Sequence, residues 1–76
     1  MSLDLRHLRA FDALARELHF GRASESLRIA QPALTKTIQQ LEDHIGAPLL
    51  RRSTRRVELT EAGRVFLTEI SSLSAQ

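Results

Sequence analysis

A mainly α chain with one small two-stranded hairpin is what this sequence predicts, on three observations. Apolar residues recur every three or four positions through most of its length. One helical stretch is bracketed by Pro32 and Gly46. A single short segment, residues 49–59, breaks that rhythm for a basic centre flanked by period-two alternation. At 76 residues there is room for one domain, and a chain of this size buries only about 60% of its unfolded surface. Disulfides and thiolate metal sites are excluded by the absence of cysteine, so association with another chain is the reinforcement left. The composition, 42% apolar and 26% charged, is that of a folded domain.

Leu5, Leu8, Phe11, Leu14, Ala15 and Leu18 share one face of a first helix running through residues 3–18. Arg22 to Arg28 is a short second helix, with Ala23 and Leu27 on one face. The third starts at Gln31–Pro32, since the N–H that proline lacks would be unsatisfied in a first turn anyway. Its apolar residues Leu34, Ile38, Leu41 and Ile45 are spaced 4, 3, 4, and Gly46 with Pro48 beyond ends it at residue 45. Val57 and Leu59 alternate with Arg56 and Glu58 in the returning strand of the hairpin. Thr60 is placed to N-cap a last helix, with Glu61 at the positive end of its dipole.

Two helices joined by a tight connection and followed by a basic hairpin make a helix-turn-helix with a wing. With Leu34, Ile38 and Leu41 inward, a rotation of about 100° per residue leaves Gln31, Thr35, Lys36, Gln39 and Gln40 outward. Glutamine can pair with adenine, threonine offers a hydroxyl and a methyl group, and lysine donates to guanine or phosphate. Arg51, Arg52, Arg55 and Arg56 concentrate four of the eleven cations in six residues, at a hairpin tip able to straddle a phosphate backbone. The net charge is only +2, but residues 28–56 hold six cations against Glu42 and Asp43 while the flanks are neutral and acidic. That distribution points to one localised anionic partner. The stripe Ala62, Val65, Phe66, Ile70 and Leu73 is longer than a small core covers, which favours a partner helix.

Catalysis has no support. Ser24, Ser26 and Ser53 lack a nucleophile setting, and three glycines build no phosphate loop. His7, His19 and His44 lack metal-ligand spacing and read as ordinary surface or interface residues, so no metal or cofactor is expected. Nor does any stretch approach the ~18 apolar residues of a membrane span, or the apolar core of a signal peptide. The chain is expected in the cytoplasm.

The segments AQPALTKTIQQLE, IGAPLLRR and RRVELTEAG, in that order and spacing, resemble the N-terminal DNA-binding region of the LysR-type transcriptional regulators over residues 5–67. The resemblance implies a winged helix-turn-helix over residues 1–59 and a linker helix, starting in residues 60–76, that pairs with its counterpart in a second subunit. It places DNA contacts on Gln31, Pro32, Thr35 and Lys36, with Arg52 and neighbouring wing residues on the backbone. The implied function is sequence-specific binding of double-stranded DNA by a dimer on an interrupted inverted repeat. Helix 31–45 would lie in the major groove and the 51–56 wing on the phosphates. Members usually carry a C-terminal α/β domain for a small-molecule effector and act as dimers or tetramers. That domain is absent from these residues, so the chain is expected to be a piece of a longer regulator. Ala30 stands where many members have Ser, Thr35 and Lys36 replace commoner Ser and Arg, and Leu50 replaces Phe. The alternative function is a protein-interaction module using the same winged surfaces.

Overall fold

The computed structural model describes residues 3–53 and 56–74. It is a winged helix-turn-helix: α1 (Leu5–Glu17), α2 (Phe20–Leu27), α3 (Gln31–Ile45), β1 (Leu50–Arg52), β2 (Val57–Leu59) and α4 (Glu61–Ser74). The expected order of elements and the bounds of the third helix hold.

Each helix end has an identifiable cause. Asp4 caps α1, its Oδ1 accepting the Arg6 N–H at 2.9 Å, while Nδ1 of His7 accepts the Asp4 N–H at 3.2 Å to close a capping box. Partial desolvation works against the Asp4 carboxylate, but the Arg6 amide and charge and the His7 amide and ring outweigh it and hold its pKa below the ordinary value. The second helix begins two residues earlier than periodicity suggests because His19 caps it, Nδ1 accepting the Arg22 N–H at 3.0 Å. It ends in a Schellman pair, Ile29 N–H to the Ser24 carbonyl and Arg28 N–H to the Glu25 carbonyl, both 3.1 Å. Arg28 is left-handed there at φ 59° without being glycine.

The third helix has the weakest start. Ala30 occupies the N-cap in extended conformation, φ −71° and ψ 146°, with no side chain to accept an orphan amide. Ala30→Ser is therefore expected to stabilise the fold by about 1 kcal/mol. In a domain of this size that raises the thermal midpoint by roughly 4–8 °C, and an unchanged midpoint in a calorimetric scan would contradict it.

The core is contributed by every helix: Ala10, Phe11 and Leu14 from α1, Phe20 and Ala23 from α2, Leu34, Ile38 and Leu41 from α3, and Ile70 from α4, with Leu49 ahead of the wing. Phe11 meets Phe66 of α4 edge-on, ring centroids 5.3 Å apart. The wing is one antiparallel pair with Leu50 opposite Leu59, Arg51 opposite Glu58 and Arg52 opposite Val57.

The wing root is tied to its neighbours by two devices. Glu42 of α3 accepts the Leu49 and Leu50 N–H groups on one carboxylate oxygen, at 2.8 and 3.3 Å. Thr60 donates its N–H to the Leu49 carbonyl at 3.0 Å and its hydroxyl to the Pro48 carbonyl at 2.6 Å. The same hydroxyl oxygen accepts the Gly63 N–H at 3.0 Å, the N-cap bond expected of Thr60.

Candidate nucleic-acid interface

The polar side of α3 and the wing beside it form one surface. Leu34, Ile38 and Leu41 are buried on the inner side, and Gln31, Pro32, Lys36 and Gln39 are exposed on the outer. Thr35 is half-buried because it borders the wing, where its Oγ1 accepts from Arg52 Nη2 at 3.4 Å.

Gln40 departs from the outward set. Rotation alone puts it with Gln39, but its Oε1 lies 3.2 Å from Nε2 of His7 on α1, and it is half-buried. His7 departs too: it is only 2% exposed, so it is an interior residue rather than a surface one. Its Nε2 faces the Gln40 oxygen, and its Nδ1 lies 3.2 Å from the Asp4 amide nitrogen and 3.1 Å from Asp4 Oδ1. A buried imidazole with both nitrogens engaged costs little desolvation, and it joins the start of α1 to the middle of α3. A partner 33 residues away leaves no trace in periodicity.

The strand pleat separates the two arginines of β1. Arg52 lies on the side of Leu50, facing α2 and α3. Its guanidinium carbon stands 3.7 Å from the centroid of the Phe20 ring. Arg51 falls on the other side, in register with Glu58. Arg56 closes the loop, its carbonyl accepting the Ser53 N–H at 2.9 Å, with its side chain exposed. Arg55 lies outside the described residues. Among the described residues the arginine–carboxylate ion pairs are Arg6–Asp4, Arg16–Asp12 and Arg64–Glu61, so Arg51, Arg52 and Arg56 keep their charge unpaired there.

The α4 stripe divides. Ile70 is 8% exposed in the chain's own core, and Phe66 and Ala62 are half-buried against it, whereas Val65 is 53% exposed. Leu73 belongs to α4, but its side chain lies outside what the structure describes. No helix among the described residues is long and apolar enough to cross a membrane.

Known proteins share this arrangement. The chain is 56% identical over 69 residues to the uncharacterized HTH-type transcriptional regulator YnfL of Escherichia coli, which covers 91% of this chain and 23% of that protein. It is 51% identical over 73 residues to the HTH-type transcriptional regulator BudR of Klebsiella aerogenes, covering 96% and 51%. The chain thus spans about a quarter of the first of these relatives and about half of the second. Among solved structures, the BenM_DBD/catB site 1 DNA complex superposes with a TM-score of 0.90 at 41% identity, over 96% of this chain and 82% of that one. The CbnR_DBD–DNA complex does so at 0.87 and 37%, over 96% and 87%. OxyR of Corynebacterium glutamicum in its oxidised form matches at 0.90 and 39%, over 99% of this chain and 25% of that one. The family model of bacterial regulatory helix-turn-helix proteins, lysR family, matches residues 5–64, and this chain belongs to that family.

Proposed function

We propose that this chain is the DNA-reading part of a bacterial transcriptional regulator, with α3 in the major groove of a duplex and the wing on the adjoining phosphates. The observation that carries this reading is one continuous surface on which base-reading side chains adjoin unneutralised cations. Thr35 and Gln39 adjoin Arg52, which reaches Thr35 within 3.4 Å, and the exposed Gln31 and Lys36 lie along the same helix. The likeness to domains solved on DNA supports it. Gln31, Pro32, Thr35, Lys36 and Gln39 then address base edges, and Arg51, Arg52, Arg55 and Arg56 the backbone.

Residues 60–76 are read as the start of a linker through which two copies pair, placing one α3 in each half of an interrupted inverted repeat. Val65, the most exposed described member of the expected stripe, leads that pairing surface, with the half-buried Ala62 and Phe66 at its margin and Ile70 already taken by the chain's own core. Sedimentation as a monomer at high micromolar concentration would remove this arm. An effector would act through a C-terminal domain, and the working compartment is the cytoplasm, where the DNA is.

The test begins with selection of bound sites from random duplexes. On a selected site, Lys36→Ala is expected to cost roughly tenfold or more in affinity and to narrow the ratio between specific and random DNA. Arg56→Ala is expected to weaken all duplexes alike and to lower the salt slope by about one. Equal losses on every sequence for both variants would overturn the assigned roles. Dimerisation without salt-sensitive retention on any duplex would favour the protein-interaction reading.

A further inference from the structure

Arg52 ends β1 on the inner side of the hairpin, where it overhangs a hollow of about 280 Å³ lined by Phe20, Thr35, Ile38, Gln39, Glu42 and Leu50. Three features of that place bear on how the guanidinium behaves. Below it is the ring of Phe20, a residue only 9% exposed and set in the core at the first turn of α2. At its edge is the Thr35 hydroxyl. The acid of the hollow, Glu42, directs a carboxylate oxygen to the Leu49 and Leu50 amides, and no ion pair with Arg52 exists among the described residues.

The geometry points to Phe20 as a positioning residue for DNA binding, its ring face holding the Arg52 guanidinium against α3 so that the cation is oriented before a duplex arrives. This rests on the DNA-binding reading above. A planar guanidinium stacks on an aromatic face and is held by the ring quadrupole. One of its five N–H donors is directed to Thr35, and the others remain for a phosphate. A long arginine free in solvent must give up its rotamers on binding, whereas one already stacked gives up less. The ring therefore acts on affinity through Arg52 without itself touching DNA. Because the same guanidinium bonds Thr35, the wing and the reading helix present their contacts in one fixed relation.

The experiment is a double-mutant cycle on duplex affinity with Phe20→Leu, Arg52→Ala and the pair, each variant's fold being checked by its thermal unfolding. Phe20→Leu keeps an apolar core residue but removes the π face, and it is expected to weaken binding on the order of fivefold, the size of a cation–π contact at a partly exposed site. Arg52→Ala weakens it at least as much, and the pair is expected to bind no worse than Arg52→Ala alone. Phe20→Tyr, which keeps the ring face, is expected to restore affinity. A loss for the pair equal to the product of the two single losses would overturn the proposal.

A second measurement does not depend on any variant folding. In the unmodified chain free of DNA, the Arg52 side-chain protons are expected upfield of those of exposed arginines, through the ring current of Phe20. Ordinary solvent-exposed shifts would overturn the proposal by themselves. Failure of the unmodified chain to bind any duplex would instead count against the DNA-binding reading, with the NMR result still reporting on the stack.

Discussion

Replacing Gly63 by alanine is expected to destabilise the fold by roughly 3 kcal/mol, at the upper end of what overpacking costs. The sign is what makes this informative. Gly63 lies in the first turn of α4 with no positive φ, so on helix propensity alone the substitution should gain about 1 kcal/mol. The reason for glycine is space. A Cβ there would press into the carbonyl oxygen of Leu49, and would also stand 3.1 Å from the carbonyl carbon and 3.3 Å from a methyl of Leu59. That carbonyl belongs to backbone and cannot swing aside. Moving it breaks the 3.0 Å bond from the Thr60 N–H. For a domain whose whole stability is on the order of 5 kcal/mol, that loss leaves about 2 kcal/mol and raises the unfolded fraction by roughly a hundredfold, to a few per cent. Denaturant titration reads this directly, and a midpoint at or above that of the parent would show that the close approach does not exist.

Glu42→Ala is expected to cost about 2–3 kcal/mol. Its carboxylate oxygen accepts two amides where α3 gives way to the wing, and bonds to a charged acceptor are the stronger kind. Truncation leaves the N–H of Leu49, a residue with no exposed surface, without its acceptor. Glu42→Gln keeps an acceptor oxygen without the charge and is expected to recover about half the loss. Hydrogen exchange separates this from a general weakening: the Leu49 and Leu50 amides should lose protection ahead of the α1 amides. Uniform loss across the chain would refute a local clamp at the wing root.

The features of this fold that could be read ahead of the structure are those marked by local chemistry. Helix three was bounded by Pro32 and Gly46, and Thr60 was recognisable as a cap, because both signals act within a few residues of where they stand. What stayed hidden depends on partners far along the chain. Glu42 counts in the sequence as one negative charge, and nothing nearby says that it will hold the root of the wing seven and eight residues on. Gln40 and Gln39 are equivalent by rotation until His7 of another helix claims one of them. Phe20 reads as an interruption between helices. Only the folded chain shows that it lies under Arg52. The start of α2 is not legible in the sequence because histidine is seldom a cap, whereas Asp, Asn, Ser and Thr are the residues that signal one. The α4 stripe shows a limit of another kind. A 3.6-residue period reports that a face will be covered, and cannot tell the chain's own core, which takes Ile70 and the Phe66 ring, from another helix.

The attachment of α4 has a mechanical consequence. The helix is fastened at its first turn to the base of the hairpin, through Thr60 and the close seat of Gly63 on the Leu49 carbonyl. About one and two turns beyond Gly63 it is fastened again, through Phe66 on Phe11 and through Ile70 in the core. A rod bolted at two separated points does not swivel. A torque applied along it is passed to the body that carries Lys36 and Arg52, so turning the rod turns that body as one piece.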